Sequence, residues 1–520
     1  MQKDDTKTIL WVDDEIDLLS AHIIFLRERG YNIVQSTNGD DAIEIVSKGG
    51  IDLVLLDEMM PGRDGLSTLE AIKDLNANLP VIMVTKSEEE HLMNEAIGKK
   101  INDYLTKPVN LSQILSAVKR ILDRQKLTES TLTREFVSEF ARINQRLMGG
   151  LDWQEWRDIH ITLSEIDIEL ERFRDFGLKQ SHQDLKKQSS AEFARFIIKN
   201  YRDWIRNRSL GPPMSVDIIK NHVAPLLKDG IQTFFIVVDC MRLDQWLMIE
   251  SILAEYYEIK KSYYYSILPT ATPFSRNSIF AGEFPSVVAK LYPDLWDRSS
   301  NEASRNRHER QLLDRQLAVL GLNFKNEPKY VKVLDFDEGQ NLAKKISSYA
   351  NTPLLSIVYN FVDILVHGRS ESEILQEVAP NEAAFRSLMK SWFEYSHMFE
   401  LLRKIAEWNC AVVITTDHGS VIGTKGTIAY GKKDTSTNLR YKYGDNLNCD
   451  TKQAWLIKDP REMNLPTWGL ATTYIIALED YYFVYPTKYS EYRRHYQNSF
   501  QHGGISLDEM ILPVITLRPK

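Results

Sequence analysis

The feature that most narrows what this chain can become is a recurring one: short, unbroken apolar runs that end in aspartate. They read ILWVDD at 9–14, LVLLD at 53–57, FFIVVD at 234–239 and VVITTD at 412–417. Unbroken runs of this kind, without polar alternation, fit strands buried on both faces, as in parallel sheets covered by helices. In such sheets ligand chemistry gathers at the carboxyl ends of the strands, where these aspartates fall. The runs come in two blocks. From Thr8 to about Gln125 five strand–helix pairs follow one another, including an amphipathic stretch at 88–98. After about residue 214 strands return, among them LLSIVYNFVD and MILPVITL. Between the blocks lies a stretch rich in Glu, Arg, Leu and aromatic residues with helical spacing and almost no strand signal. A chain of 520 residues has room for about three units at the usual ~150 residues each. The expected architecture is therefore α/β and multidomain: a doubly wound parallel sheet over 1–125, a helical connector bundle over 126–213, and a second α/β domain over 214–520.

Composition removes several function classes. Lys plus Arg number 64 against 72 Asp plus Glu, a net charge of −8, which argues against a dominant phosphate-backbone binder. No compact basic three-helix module is present, so no dedicated DNA-binding domain is expected, and direct transcription control is the weakest reading. The cluster Arg305, Arg307, His308 and Arg310 reads as a solvated face, and Tyr263, Tyr264 and Tyr265 read as strand residues rather than a base-stacking platform. No apolar run nears the roughly 20 residues that span a bilayer, and the first eight residues are polar, so a cytoplasmic protein without a membrane span is expected. Cys240, Cys410 and Cys449 are far apart and odd in number, which suits reduced thiols and leaves any metal to other ligands.

In the first block Asp13 and Asp14 follow the first strand and Asp57 ends the third, so a parallel topology brings three carboxylates to one edge. Like charges that close call for a hard cation such as Mg²⁺, which can also bridge a phosphoryl group. Thr85 and Lys107, at the ends of the fourth and fifth strands, add a hydroxyl and a cation for phosphate oxygens. With DD at 13–14, LLDEMMPGRDG around Asp57, Thr85 and the KP dipeptide at Lys107, residues 8–125 resemble a two-component receiver domain (CheY-like). The resemblance implies phosphotransfer from a sensor histidine kinase onto Asp57. It also implies one Mg²⁺ held by Asp13 or Asp14, Asp57 and the carbonyl of Met59, with switching through Thr85 and Tyr104.

The second block offers another constellation. Asp239 ends one strand, and Asp417 with His418 ends another. Asp363 and His367 stand four apart, on one face of a helical turn. His502 sits in the glycine loop QHGG, and Ser506 with Glu509 reads as a capping box for the next helix. Six Asp and His ligands without cysteine suit Zn²⁺ or Mn²⁺. Thr272, in LPTATPFSRNS beside a helix-starting Pro273, supplies a hydroxyl that a divalent ion can activate, two ions together stabilising an in-line phosphoryl displacement.

In that order these seven residues resemble the PglZ branch of the alkaline phosphatase superfamily. The resemblance implies one zinc on Asp363, His367 and His502 and a second on Asp239, Asp417 and His418, with Thr272 as nucleophile bridging toward the second. No extra Mg²⁺ site is apparent, which favours diesters over monoesters, and Arg276 and Asn277 stand close enough to Thr272 in sequence to serve as oxyanion partners. The whole succession resembles the PorX-type response regulators of type IX secretion. That resemblance implies a PorY-like sensor kinase, a phosphorylation-favoured homodimer, and a zinc-dependent phosphodiesterase acting on oligonucleotides, cyclic ones included. The residues by themselves reach only as far as metal-assisted cleavage of a phosphate ester under the control of an aspartyl phosphate. The alternative is a non-catalytic adaptor whose phosphorylation exposes a docking site, for example for a sigma factor or secretion component.

Overall fold

The computed structural model describes residues 6–86, 101–171, 176–296, 306–431, 438–485 and 495–520; the 88–98 stretch and Arg305 lie outside them. The chain divides into two compact units, Met1–Ser138 and Glu139–Lys520.

In the first unit β1 (Thr8–Val12), β2 (Asn32–Ser36), β3 (Leu53–Asp57), β4 (Val81–Thr85) and β5 (Asp103–Thr106) form an all-parallel sheet in the order β2-β1-β3-β4-β5. The apolar runs are unbroken because both faces are covered. Ile9, Trp11, Leu53 and Leu55 pack on one side with Ile23, Leu26, Ile114 and Val118. Leu10, Val12, Val54 and Leu56 pack on the other with Ala42, Leu69 and Ile72. Each buried Leu, Ile or Val among them contributes roughly 1.5–3 kcal/mol of burial free energy. A single helix then runs from Leu111 to Leu147.

The second unit is built on a six-stranded sheet. Its order is β7 (Tyr257–Tyr265), the C-terminal strand Ile511–Pro519, β10 (Cys410–Thr415), β6 (Gln232–Val238), β9 (Leu354–Tyr359) and β8 (Lys329–Val333). β10, β6, β9 and β8 are mutually parallel, so their carboxyl ends share one edge. The C-terminal strand runs antiparallel between β7 and β10. Helices Trp153–Leu170 and Phe176–Arg206 belong to this unit. The first is started by a capping box between Asp152 and Glu155. The pair is tied to the sheet by the Tyr265 hydroxyl, which donates to the Trp153 carbonyl at 2.7 Å, and by Trp204 edge-on to Tyr265. All three cysteines are free and buried. Among the described residues no helix is long and apolar enough to cross a membrane.

Candidate functional site

In the first unit, carboxylate oxygens of Asp13, Asp14 and Asp57 lie within 4.8 Å of one another. Adjacent strand ends put them there, since Val12 pairs with Leu56 across β1 and β3. Lys107 Nζ sits 2.8 Å from Asp13 and 3.0 Å from Asp57. Burial pushes the Asp57 carboxyl up, against the opposing pull of Lys107. Burial also works to lower Lys107, but its bonds to Asp13 and Asp57 outweigh that and raise it. An all-oxygen, carboxylate-rich pocket of this kind fits a hard divalent ion. Met59 follows in the loop after β3, and Tyr104 lies half exposed on β5. The Thr85 hydroxyl donates to the Glu58 carboxylate, so here it is turned to Glu58, a partner that sequence alone did not suggest.

In the second unit the six candidate ligand residues converge as two adjacent trios. Asp363, His367 and His502 form one, and Asp239, Asp417 and His418 the other, each offering atoms within 4.8 Å. In the first trio His367 Nε2 is 3.4 Å from Asp363 Oδ1, His502 Nε2 is 3.6 Å from the same oxygen, and the two ring nitrogens face each other at 3.2 Å. In the second, His418 Nε2 is 3.6 Å from Asp239 Oδ1 and 3.7 Å from Asp417 Oδ2. A tetrahedral zinc with bonds of 2.0–2.2 Å holds its ligand atoms about 3.3–3.6 Å apart, so both trios fit such an ion. The rings of His418 and His502 stack at 4.2 Å, which sets the trios side by side.

The backbone explains how each ligand is aimed. Asp239 follows β6 and donates its amide to the Tyr359 carbonyl at the end of β9. Cys240 then takes a positive φ of 66°, a turn that lets its amide donate to Asp417 Oδ1 at 3.3 Å. Nδ1 of His418 lies 3.1 Å from the Gly419 carbonyl, an arrangement that leaves Nε2 as the free lone pair. A side chain at Gly419 would fall 1.9 Å from the Asp508 carbonyl, so the chain can turn there only as glycine. Gly503, at φ 116°, does the same after His502.

Electrostatics also favour metal. Burial pushes the Asp239 carboxyl well above its usual range and Asp417 up to about 6, despite nearby Arg276. It drives His418 down and His502 far down. The buried Asp417 Oδ2 and Asp363 Oδ1 have no hydrogen-bond donor. Neutral imidazoles and unsatisfied buried carboxylate oxygens are the donors a divalent cation takes.

Thr272 opens helix Thr272–Ala281. Its hydroxyl lies 3.0 Å from His418 Nε2 and 3.4 Å from Asp239 Oδ1. The second trio is buried throughout, whereas Thr272 is part-exposed and the His367 side chain is 53% exposed, so His367 and the hydroxyl are the parts of the site that reach solvent.

Two sequence expectations need correction. Arg276 is not an oxyanion donor: its guanidinium is divided between Asp239 and Glu309. Asn277 is likewise engaged, donating to the Pro273 carbonyl and accepting from Asn306. Ser506 does cap its helix through the Glu509 amide, but the Glu509 carboxylate accepts from the Ser506 hydroxyl, Arg440 and the Gly504 amide rather than from the Ser506 amide that a capping box would use. Glu309, Asn306 and Tyr330 went unsuspected, because nothing local marks a partner more than thirty positions away.

Three family models match the chain. They are described as a BREX system PglZ alkaline phosphatase-like domain, over residues 218–517, a response regulator receiver domain, over 9–119, and a PorX response regulator linker domain, over 126–205. Among curated proteins, 143 residues are 30% identical to the transcriptional regulatory protein DltR of Streptococcus agalactiae, covering 28% of this chain and 58% of that one. A further 127-residue match is 35% identical to the transcriptional regulatory protein ResD of Bacillus subtilis, covering 24% and 52%. The chain thus spans a little over half the length of these relatives. A crystal structure of a CheY-like response regulator receiver domain protein from Methanospirillum hungatei is 26% identical and covers 24% of this chain and 99% of its own, with a TM-score of 0.23.

Proposed function

The chain belongs to the PglZ alkaline phosphatase-like family and matches a PorX-type response regulator with a PglZ output domain; from that premise we propose that it is a two-zinc phosphodiesterase controlled by phosphorylation of Asp57. The observation that carries the reading is the part-exposed Thr272 hydroxyl at the rim of one complete ligand trio, with a second trio stacked against it. Asp363, His367 and His502 would hold one ion and Asp239, Asp417 and His418 the other. When bound, such ions act as Lewis acids that offset charge on the attacking and leaving oxygens. Thr272 Oγ1 gives up its proton and forms a bond to phosphorus as the bond to the leaving oxygen breaks, and that oxygen takes up a proton to depart as the alcohol. Water then attacks the phosphothreonine, the P–Oγ1 bond breaks, and the threonine hydroxyl is restored. With Arg276 committed elsewhere, this helix offers the substrate no guanidinium, a charge balance that suits a singly charged diester over a doubly charged monoester.

Asp57 is the phosphoryl acceptor, one Mg²⁺ being held by Asp13 or Asp14, Asp57 and the Met59 carbonyl, with Lys107, Thr85 and Tyr104 as the response elements. By its resemblance to PorX-type regulators, the proposal extends to a cytoplasmic role in type IX secretion, a PorY-like kinase as donor, a phosphorylation-favoured homodimer, and oligonucleotides, cyclic ones included, as substrates. A non-catalytic adaptor gives no reason for two complete ligand trios around a hydroxyl. Hydrolysis of an aryl phosphodiester by the purified chain tests the reading: turnover should vanish in Thr272→Val and after chelation, and turnover surviving either would reject it.

A further inference from the structure

One turn after Thr272, on the same helix, Arg276 is drawn into the site and away from solvent. Its side chain is 2% exposed, and its two edges are engaged separately, Nη1 on Asp239 Oδ2 and Nε on Glu309 Oε1 at 2.5 Å. Glu309 is itself fully buried and accepts from Asn306 Nδ2 at 2.8 Å and from the Tyr330 hydroxyl, with Lys332 Nζ 3.5 Å away. Asn306 Nδ2 also donates to the Thr272 carbonyl at 3.1 Å. A planar guanidinium held at both edges cannot rotate without leaving a buried carboxylate unpaired. The consequence falls on Asp239. Its Oδ2 is taken by Arg276, and only Oδ1 is left toward Thr272 at 3.4 Å and His418 at 3.6 Å.

The geometry points to Arg276 and Glu309 as a positioning pair that fixes Asp239 as a one-oxygen ligand of the second trio and, through Asn306, registers that ligand against the backbone of Thr272. Neither residue touches substrate. The inference rests on the two-metal reading and adds to it the reason why Asp239 does not chelate through both oxygens, which keeps room beside the hydroxyl. Outer partners of metal ligands typically change metal affinity by about 10–100-fold when removed.

The test uses Co²⁺ alone, titrated into the full-length chain carrying His367→Ala, so that the second trio is the intact nitrogen-containing site and its visible absorption reports affinity and ligand geometry together. Adding Arg276→Lys, which keeps the charge but not the two-edged fork, or Glu309→Gln, which keeps the shape, is expected to weaken binding about 10–100-fold and to shift the visible band. Unchanged affinity and band in either folded variant overturns the inference, while the two-metal reading stands. Should Arg276→Lys fail to fold, Glu309→Gln decides alone. No Co²⁺ uptake with Arg276 and Glu309 intact would overturn the two-metal reading itself, and the inference with it.

Discussion

Arg386→Met should break a buried ion network that joins the helices 153–170 and 176–206 to the segment carrying Asp239. Arg386, 4% exposed, donates from Nη1 to Asp244 at 2.7 Å and from Nε to Glu171 at 2.8 Å. Among the described residues Asp244, 1% exposed, is otherwise hydrogen-bonded only by Arg242, at 2.9 Å, and Arg242 is shared with Glu382 at 2.6 Å. Lys186 extends the chain of charges from Glu382 to Asp167. Removing Arg386 leaves about one buried carboxylate charge uncompensated, a loss of about 3–5 kcal/mol. Adding Asp244→Asn removes that orphaned charge, so the double variant should regain part of the loss, with an interaction energy of about 2–3 kcal/mol. Urea unfolding followed by tryptophan fluorescence reads the right unit, because every tryptophan but Trp11 lies beyond residue 138. Burial by itself would raise the Asp244 carboxyl, but Arg242 and Arg386 hold it far below its usual range. With the folded value depressed, the stabilisation is present above the ordinary carboxylate pKa of about 3.9 and fades as pH falls through the folded value. The deficit of Arg386→Met should therefore shrink below about pH 4. A loss under about 1 kcal/mol at pH 7, or a double variant equal to the sum of the singles, would refute the reasoning.

Asp508 gives the opposite sign. Burial pushes its carboxyl up to about 6, against the pull of Lys186 and Arg242, so ionising it in the folded state is penalised progressively from about pH 4 to pH 6 and fully above. Asp508→Asn should add roughly 1–3 kcal/mol at pH 8 and nothing at pH 4; an equal gain at both pH values would contradict this. In the first unit, Glu58→Gln weakens the charge-assisted bond that holds the Thr85 hydroxyl, of the kind worth about 1.5–3 kcal/mol. The beryllofluoride concentration that half-saturates Asp57 should then fall several-fold, and an unchanged value would mean that the Thr85–Glu58 bond plays no part in the switch.

What could be read from residues alone follows a physical division. The unbroken apolar runs carried the all-parallel first sheet and the parallel β10-β6-β9-β8 portion of the second, and the rule that chemistry gathers at their carboxyl ends carried Asp13, Asp57, Asp239, Asp417 and His418. Helical spacing carried Asp363 and His367. The reversed C-terminal strand left no such trace, since an antiparallel strand buried on both faces is as apolar as a parallel one. Long, flexible charged side chains were the harder part. Sequence proximity put Arg276 beside Thr272, yet the guanidinium goes to Glu309, 33 positions on. Glu509 has the spacing of a capping box, yet its carboxylate also takes in Arg440, 69 positions back. In the Arg242–Asp244–Arg386 network Arg386 bonds Asp244, 142 positions away, and Glu171, 215 away, and a buried ion pair has no periodicity to announce it.

The central claim is that two ligand trios each hold a zinc ion beside Thr272. Metal analysis of the purified full-length chain after exhaustive dialysis against trace zinc tests it most directly, with Asp363→Ala and Asp417→Ala alongside. The account predicts two zinc ions per chain, falling to one in each variant. A single ion in the unaltered chain, or a count that neither substitution lowers, would contradict it.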